Sequence, residues 1–99
     1  MCCFVSAAHG LTSDEQSMLD WIDAHQDEAI ELLEETVNIG SGTMNHAGVR
    51  AVGDVMASSM SDLGMAIEWI DMPPEMARAG HLVARKGGSG TRFLLIGHL

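Results

Sequence analysis

The stretch Met65-Ala-Ile-Glu-Trp-Ile-Asp71 decides the fold class, because the apolar pattern changes there from a helical period to an extended one. The stretch is typical of a strand, and Pro73-Pro74 closes it, since proline cannot donate a ladder hydrogen bond. Two further strands are predicted at His81–Arg85 and Arg92–His98. Only the glycine-rich turn Gly87–Gly90 and its flanks separate these two strands, so they are close enough to form a hairpin.

Upstream of this stretch, the spacing predicts a first helix. It begins at a cap on Thr12 or Ser13, with Glu15 or Gln16 completing a capping box, and it ends near Asn38. One face of this helix is apolar at helical spacing. That stripe comprises Met18, Leu19, Ile22, Ala29, Ile30, Leu33 and Val37.

A second helix is predicted from about Asn45 to Leu63, with Gly64 as its terminator. Its buried stripe comprises Val49, Val52, Met56, Met60 and Leu63. Arg50 and Asp54 are expected to pair at i,i+4 on the surface. Gly48 and Gly53 lower helix propensity, which favours a role in close packing against another element.

The charge of the chain is strongly asymmetric. The formal net charge is −9 over 99 residues, every Lys and Arg lies at or after Arg50, and most of the 14 acidic residues lie between Asp14 and Glu35. Nucleic acids and anionic membrane surfaces both attract basic proteins. The sequence therefore argues against both partners, and the acidic run is interpreted as a solvated helix face.

Residues 1–12 are interpreted as a leader-like or disordered terminus. Val5-Ser6-Ala7 resembles a leader cleavage site, but the basic residues that begin a secretory leader are missing. This start favours a secreted or periplasmic location slightly over a cytoplasmic one, and an ordinary frayed terminus is the alternative.

Cys2 and Cys3 are adjacent, so neither a mutual disulfide nor a zinc site is expected from them.

The run Phe93–Ile96 is apolar without alternation, which is typical of a strand covered on both faces. The two helices can cover one face, so the other face needs an element from outside these residues. The sequence stops at Leu99, whereas a central strand normally leads into another element. The order of helix, helix and three strands therefore predicts an α/β fold that is incomplete.

His98 is the histidine whose position points to chemistry. It follows the apolar run and a glycine at the carboxyl end of a predicted strand, where open α/β sheets place ligand crevices. A surface histidine at a strand end is the alternative. His9, His25 and His46 are interpreted as surface or helix-start residues.

Gly40-Ser-Gly-Thr43 precedes a helix and could bind an anion, but it lacks the lysine of a phosphate loop, which favours an inter-helix turn.

Three segments resemble zinc peptidases of the glutamate carboxypeptidase group. Thr36-Val-Asn-Ile-Gly-Ser-Gly-Thr-Met-Asn45, followed by Ala47-Gly48-Val49, looks like the signature after the first helix of that group. Met76-Ala-Arg-Ala-Gly-His-Leu-Val-Ala84 is similar to the segment that enters the next strand. Phe93-Leu-Leu-Ile-Gly-His-Leu99 resembles the strand that delivers the His-x-Asp motif. The segments occur in family order and span about residues 14 to 99.

The resemblance implies that residues 13–99 are the amino-terminal part of the catalytic domain of a carboxypeptidase-type zinc metallopeptidase. The fold would be a three-layer sandwich, to which this chain gives two helices and three strands of a mixed sheet. Two zinc ions would cleave an amide next to a free carboxylate, in a small peptide or N-acyl amino acid. His98 would bind one zinc ion through a ring nitrogen. The resemblance is also compatible with a homodimeric parent.

The general base and the remaining zinc ligands of this family would lie beyond Leu99. No catalytic residue is therefore assigned within the chain, and residues 1–99 alone are expected neither to bind zinc stably nor to hydrolyse a substrate. The alternative is a truncated, non-catalytic protein that acts as an interaction module through the uncovered face of its strands.

Overall fold

The computed structural model describes residues 10–99 and combines helices with a small antiparallel sheet. The elements are α1 (Ser13–Ala24), α2 (Gln26–Val37), α3 (His46–Asp62), β1 (Ala66–Ile70), a 3₁₀ turn (Pro74–Met76) and β2 (His81–Arg85). The mixed helix-and-strand composition predicted from the sequence is confirmed. The three-layer sandwich stays a prediction. The leader-like segment falls mostly on residues 1–9, which lie outside the described residues.

The described part of the chain divides into two compact units, one that ends at Leu33 and one that runs from Glu34 to Leu99. In the described part of the first unit, α1 and the first turns of α2 carry the predicted apolar stripe. Every residue of these two helices is exposed or half-buried. Met18, Trp21 and Ile22 are each more than half exposed. The residues of the predicted stripe are helical, but the expected burial of the stripe does not occur within the described residues.

The single helix predicted from Thr12 to Asn38 is wrong, because the helix breaks at His25. The backbone N–H of His25 donates to the carbonyl of Ile22 at 3.2 Å, one residue short of the α-helical partner. The carbonyl of Trp21 instead lies 2.7 Å from His25 Nδ1, and the two rings stack at 4.0 Å. A side chain that binds its own helix's carbonyl competes with the main-chain bond, so α2 begins anew at Gln26.

The second unit is built on α3, whose predicted bounds are confirmed to within a residue. Asn45 caps the helix, and Gly64 follows it with a positive φ of 74° that glycine adopts without strain. Of the stripe predicted to be buried on this helix, Val52 is buried at 5% exposure and Val49, Met56 and Met60 are half-buried, whereas Leu63 is 60% exposed and its predicted burial is wrong. Gly48 and Gly53 are buried on the same helix as Val52, as their expected packing role requires.

The two strands pair antiparallel, with Trp69 opposite Leu82 and Ile67 opposite Ala84. Residues that face each other in an antiparallel ladder share a face. These four side chains therefore lie on one face, against which α3 packs. Glu68 lies on the opposite face, where its carboxylate forms a diagonal ion pair with Arg85.

The predicted third strand, Arg92–His98, and its hairpin with β2 are wrong. β2 pairs with β1 instead, and residues 91–99 belong to no strand. Phe93, Leu94, Leu95 and Ile96 are between 83% and 93% exposed. A hairpin closed by residues 86–91 would set Arg92 opposite Arg85, and like charges directly opposite each other destabilise a sheet.

Candidate functional site

His98 is exposed and follows the uncovered apolar run. Among residues 10–99, no three His, Cys, Asp or Glu side chains come together in a group that could hold a metal ion. A catalytic zinc ion takes three protein ligands and a water molecule. The described residues therefore do not by themselves make up the zinc site that the resemblance implies.

Two other histidines contribute to the scaffold. His46, at the first position of α3, places Nε2 3.1 Å from the carbonyl oxygen of Ala77. Ala77 has a left-handed φ of 46° at the end of the 3₁₀ turn. His81 lies in β2 opposite Ile70. The His46 contact therefore joins the start of α3 to the loop between the strands, which is a structural role.

The glycine-rich segment between α2 and α3 forms a turn around the side chain of Asn45. Asn45 Nδ2 donates to the carbonyl of Gly40, and Oδ1 accepts from the backbone N–H of Gly48 at 3.2 Å. The Asn45 backbone N–H donates to Gly42 at 2.7 Å. A Cβ at position 48 would collide with the Gly40 carbonyl oxygen. The first segment that resembles the zinc peptidases, Thr36–Asn45, therefore forms the turn between α2 and α3.

Trp69 is the centre of a cluster in the second unit, which we call the Trp69 cluster: Arg50, Gly53, Trp69, Asp71 and Gly80. The guanidinium carbon of Arg50 lies 4.0 Å from the Trp69 ring centroid, within cation–π range. Arg50 Nη1 lies 3.3 Å from Asp71 Oδ1. The Arg50–Asp54 pair predicted along the helix is therefore wrong, because Arg50 reaches across to β1 and the residue after it.

Both glycines of the Trp69 cluster allow close approach to the indole. A Cβ at Gly53 would lie 2.5 Å from Trp69 Cζ3, and one at Gly80 would lie 2.5 Å from Nε1. The indole Nε1–H donates to the carbonyl of Ala79 at 3.1 Å. The cluster therefore holds the residues just before β2 in place, which belong to the second resembling segment, Met76–Ala84. No sequence pattern predicted this cluster, because its members are separated by up to 30 residues and form no local motif.

Among the described residues, Glu15 is a carboxylate whose pKa departs from its ordinary value. The Thr12 backbone N–H donates to its carboxylate at 2.7 Å, and the Thr12 hydroxyl lies 2.9 Å from the same oxygen. These two hydrogen bonds hold the pKa of Glu15 below its usual value. Thr12 and Glu15 form the predicted capping box, with the Glu15 N–H donating to the Thr12 hydroxyl at 3.2 Å. The carboxylate therefore stabilises the start of α1.

The second unit also exposes two complementary surfaces. The two-stranded sheet has one outer edge on β1 and another on β2, and no other strand within residues 10–99 pairs with either. The second surface is the run Phe93–Ile96. Unpaired edges and exposed apolar runs are the features through which proteins associate by strand addition.

A comparison of the chain with protein-family models, curated proteins and solved structures finds no match. In the part of the chain that the structure describes, no helix has the length and apolar character needed to span a bilayer.

Proposed function

We propose that this chain is the first part of the catalytic domain of a zinc metallohydrolase of the glutamate carboxypeptidase type. In this enzyme His98 binds one of two zinc ions, and the substrate is a small peptide or an N-acyl amino acid. The observation that carries the proposal is the run Phe93–Ile96, which ends at Gly97-His98 and is 83–93% exposed. A continuous apolar run is typical of a strand that is covered on both faces, and this run resembles the strand that delivers the His-x-Asp motif of the zinc peptidases.

The arrangement of the other resembling segments supports the proposal. The first forms the turn around Asn45, and the second enters β2 beneath Trp69. Both are held by hydrogen bonds and close glycine contacts, so the residues that carry the resemblance also position α3 and β2. A scaffold of this kind would hold His98 near the sheet once the strand before it is paired.

The test begins with the coding sequence beyond the codon for Leu99. The proposal expects it to supply an aspartate at position 100, an acidic pair and further histidines. The complete product would then be purified, its zinc content measured by mass spectrometry and its hydrolysis of N-acyl glutamate assayed. His98→Ala should lower activity at least roughly 100-fold, since it removes a metal ligand.

His81→Ala is the matched control for that experiment, because His81 is an exposed histidine of β2 and is assigned no zinc. It should retain both zinc and activity. The proposal is rejected if the complete product binds no zinc, or if it keeps full activity without His98. The polypeptide of residues 1–99 alone should show no turnover above background with added zinc.

A non-catalytic interaction module is the second candidate, and the two free sheet edges favour it. A module of this kind should be a soluble oligomer of defined size with a cooperative thermal melt. An isolated piece of an enzyme should instead aggregate or melt broadly, because it exposes strand edges that the complete domain covers. Size-exclusion chromatography combined with a thermal melt followed by circular dichroism distinguishes the two.

A further inference from the structure

We infer that Leu99 is a positioning residue, which packs beside Trp69 at Gly53 and so fixes the place of His98 in the second unit. In the proposed enzyme, that place is where His98 binds zinc. The zinc ligation rests on the proposed function, whereas the anchoring of His98 through its neighbour does not.

Leu99 differs in burial from the rest of the segment that follows β2. Residues 86–98 are exposed, and the run Phe93–Ile96 is 83–93% exposed, whereas Leu99 is half-buried. The chain therefore leaves the core after β2 and meets it again at Leu99.

The contact that holds Leu99 lies in the gap that Gly53 leaves on α3. A Cβ at position 53 would lie 3.4 Å from Leu99 Cδ1 and 2.5 Å from Trp69 Cζ3. One gap thus receives the Trp69 indole and a methyl group of Leu99 side by side. Gly53 is buried and Trp69 is half-buried, so the methyl group rests on an apolar surface that is removed from water.

The anchor constrains His98 because the two residues are consecutive. The Cα atoms of neighbouring residues are held about 3.8 Å apart by a trans peptide, so a fixed Leu99 leaves the backbone of His98 little freedom. Neighbouring side chains of an extended chain point to opposite sides. Leu99 contacts α3 while His98 is exposed, so the imidazole is accessible although the backbone beneath it is held.

This arrangement suits a zinc ligand in the proposed enzyme. A functional site needs its side chains held to within about 0.5 Å of the productive geometry. Loss of a group that orients a metal ligand lowers metal affinity by about 10–100-fold. An ordinary core leucine would instead contribute to stability alone, so the tests below measure the order of His98 and the affinity for zinc separately from stability.

Backbone NMR relaxation of the chain tests the anchor. The amide of His98 should be ordered, with an order parameter of about 0.8, whereas Phe93–Ile96 should fall below about 0.6. Leu99→Ala should lower the value at His98 to that of the run, because the shortened side chain no longer reaches Trp69. Leu95→Ala is the matched control, since Leu95 is 93% exposed and its truncation should leave His98 unchanged.

Gly53→Ala tests the same contact from the side of α3. The added Cβ displaces Trp69 and Leu99, so it should lower the order of His98 as Leu99→Ala does. Gly42→Ala should not, because a Cβ there meets no atom within 4 Å. Leu99→Met keeps an apolar side chain of similar volume and should retain the native order. A native chain in which His98 moves as freely as the run overturns the inference, and so does an unchanged His98 in Leu99→Ala.

In the complete product, zinc affinity separates positioning from stability. At a temperature where all variants are folded, Leu99→Ala should raise the zinc dissociation constant at least roughly tenfold, and Leu99→Met should restore it. A Leu99→Ala variant that melts earlier but binds zinc as tightly as the native protein shows a merely structural role, which overturns the inference. A native product that binds no zinc rejects the proposed function, and the relaxation measurements then decide by themselves whether Leu99 holds His98.

Discussion

At the scale of residues, the Trp69 indole and the two glycines against it decide the packing of the second unit. The indole contacts α3 at Gly53, lies beneath the guanidinium of Arg50 and donates a hydrogen bond to Ala79. Protein interiors are packed too densely to accept an extra methyl group without movement. The absence of a side chain at Gly53 is therefore a structural requirement, although glycine lowers helix propensity there.

Gly53→Ala should lower the free energy of unfolding by about 1–2 kcal/mol. The added Cβ would lie 2.5 Å from Trp69 Cζ3, and overpacking of this kind costs about 1–3 kcal/mol, partly offset by the better helix propensity of alanine. Urea denaturation followed by circular dichroism measures the change. Gly42→Ala is the control, because a Cβ there meets no atom within 4 Å. Equal stability of the two variants would contradict the packing role.

Thr12→Ala should raise the pKa of Glu15 toward its ordinary value. The Thr12 backbone N–H and hydroxyl lower that pKa in the folded protein, and the variant loses the hydroxyl. Because the folded pKa is depressed, the carboxylate's contribution to stability is fully present above the unfolded pKa and is lost as the pH falls through the folded pKa. An NMR titration of the Glu15 side chain measures the shift. Thr43→Ala should leave it unchanged.

At the scale of elements, the caps explain why some boundaries could be predicted and others could not. The Thr12–Glu15 box and the Gly64 stop depend on residues a few positions apart, so the sequence displays them. The break at His25 depends on the orientation of one ring toward the Trp21 carbonyl. Helical periodicity continues across the break, which is why the pattern predicted one continuous helix.

Asn45→Ala should lower the free energy of unfolding by about 1–2 kcal/mol, because it removes the N-cap of α3 and the bond that closes the preceding turn. Asn45→Ser should recover part of this loss, since serine caps a helix but cannot reach Gly40 in the same way. Thermal and urea denaturation measure both variants. If serine and alanine prove equally destabilising, the closure of the turn outweighs the cap.

Arg92→Glu should allow the segment to form the hairpin with β2 that the native chain lacks. The substitution replaces a like-charged pair with Arg85 by an opposite pair. NMR should then show cross-strand contacts between the segment and β2 in a monomer. Arg92→Gln, which removes repulsion without adding attraction, should show weaker contacts. If neither variant forms the hairpin, charge is not what prevents it.

At the scale of the whole molecule, stability should be uneven along the chain. Val52 is the side chain that is nearly fully buried in the described part, whereas Phe93–Ile96 are almost fully exposed. Local opening requires little free energy where few apolar contacts are broken. Hydrogen exchange at low protein concentration should therefore be slowest in the middle of α3 and fastest in residues 92–97.

The elements that could be predicted from the sequence are those whose interactions are local. These are the capped start of α1, the bounds of α3, and the two strands before and after the Pro73-Pro74 turn. Their patterns depend on side chains three or four positions apart in a helix, or on alternation in a strand. The zinc-peptidase resemblance and the role of His98 stay predictions, because the residues that the structure describes bring no group of metal ligands together with His98.

The pairing of elements and side chains, in contrast, depends on contacts that form in the folded chain. β2 joins β1 and not the segment that follows it, and Arg50 binds Asp71 and not Asp54. These choices depend on contacts between residues far apart in sequence, on charges that meet across a sheet and on the space that a glycine leaves beside a tryptophan. Periodicity and spacing describe only neighbours along the chain and do not report such contacts. For this reason the run Phe93–Ile96, which was predicted to be a covered strand, is exposed in the structure.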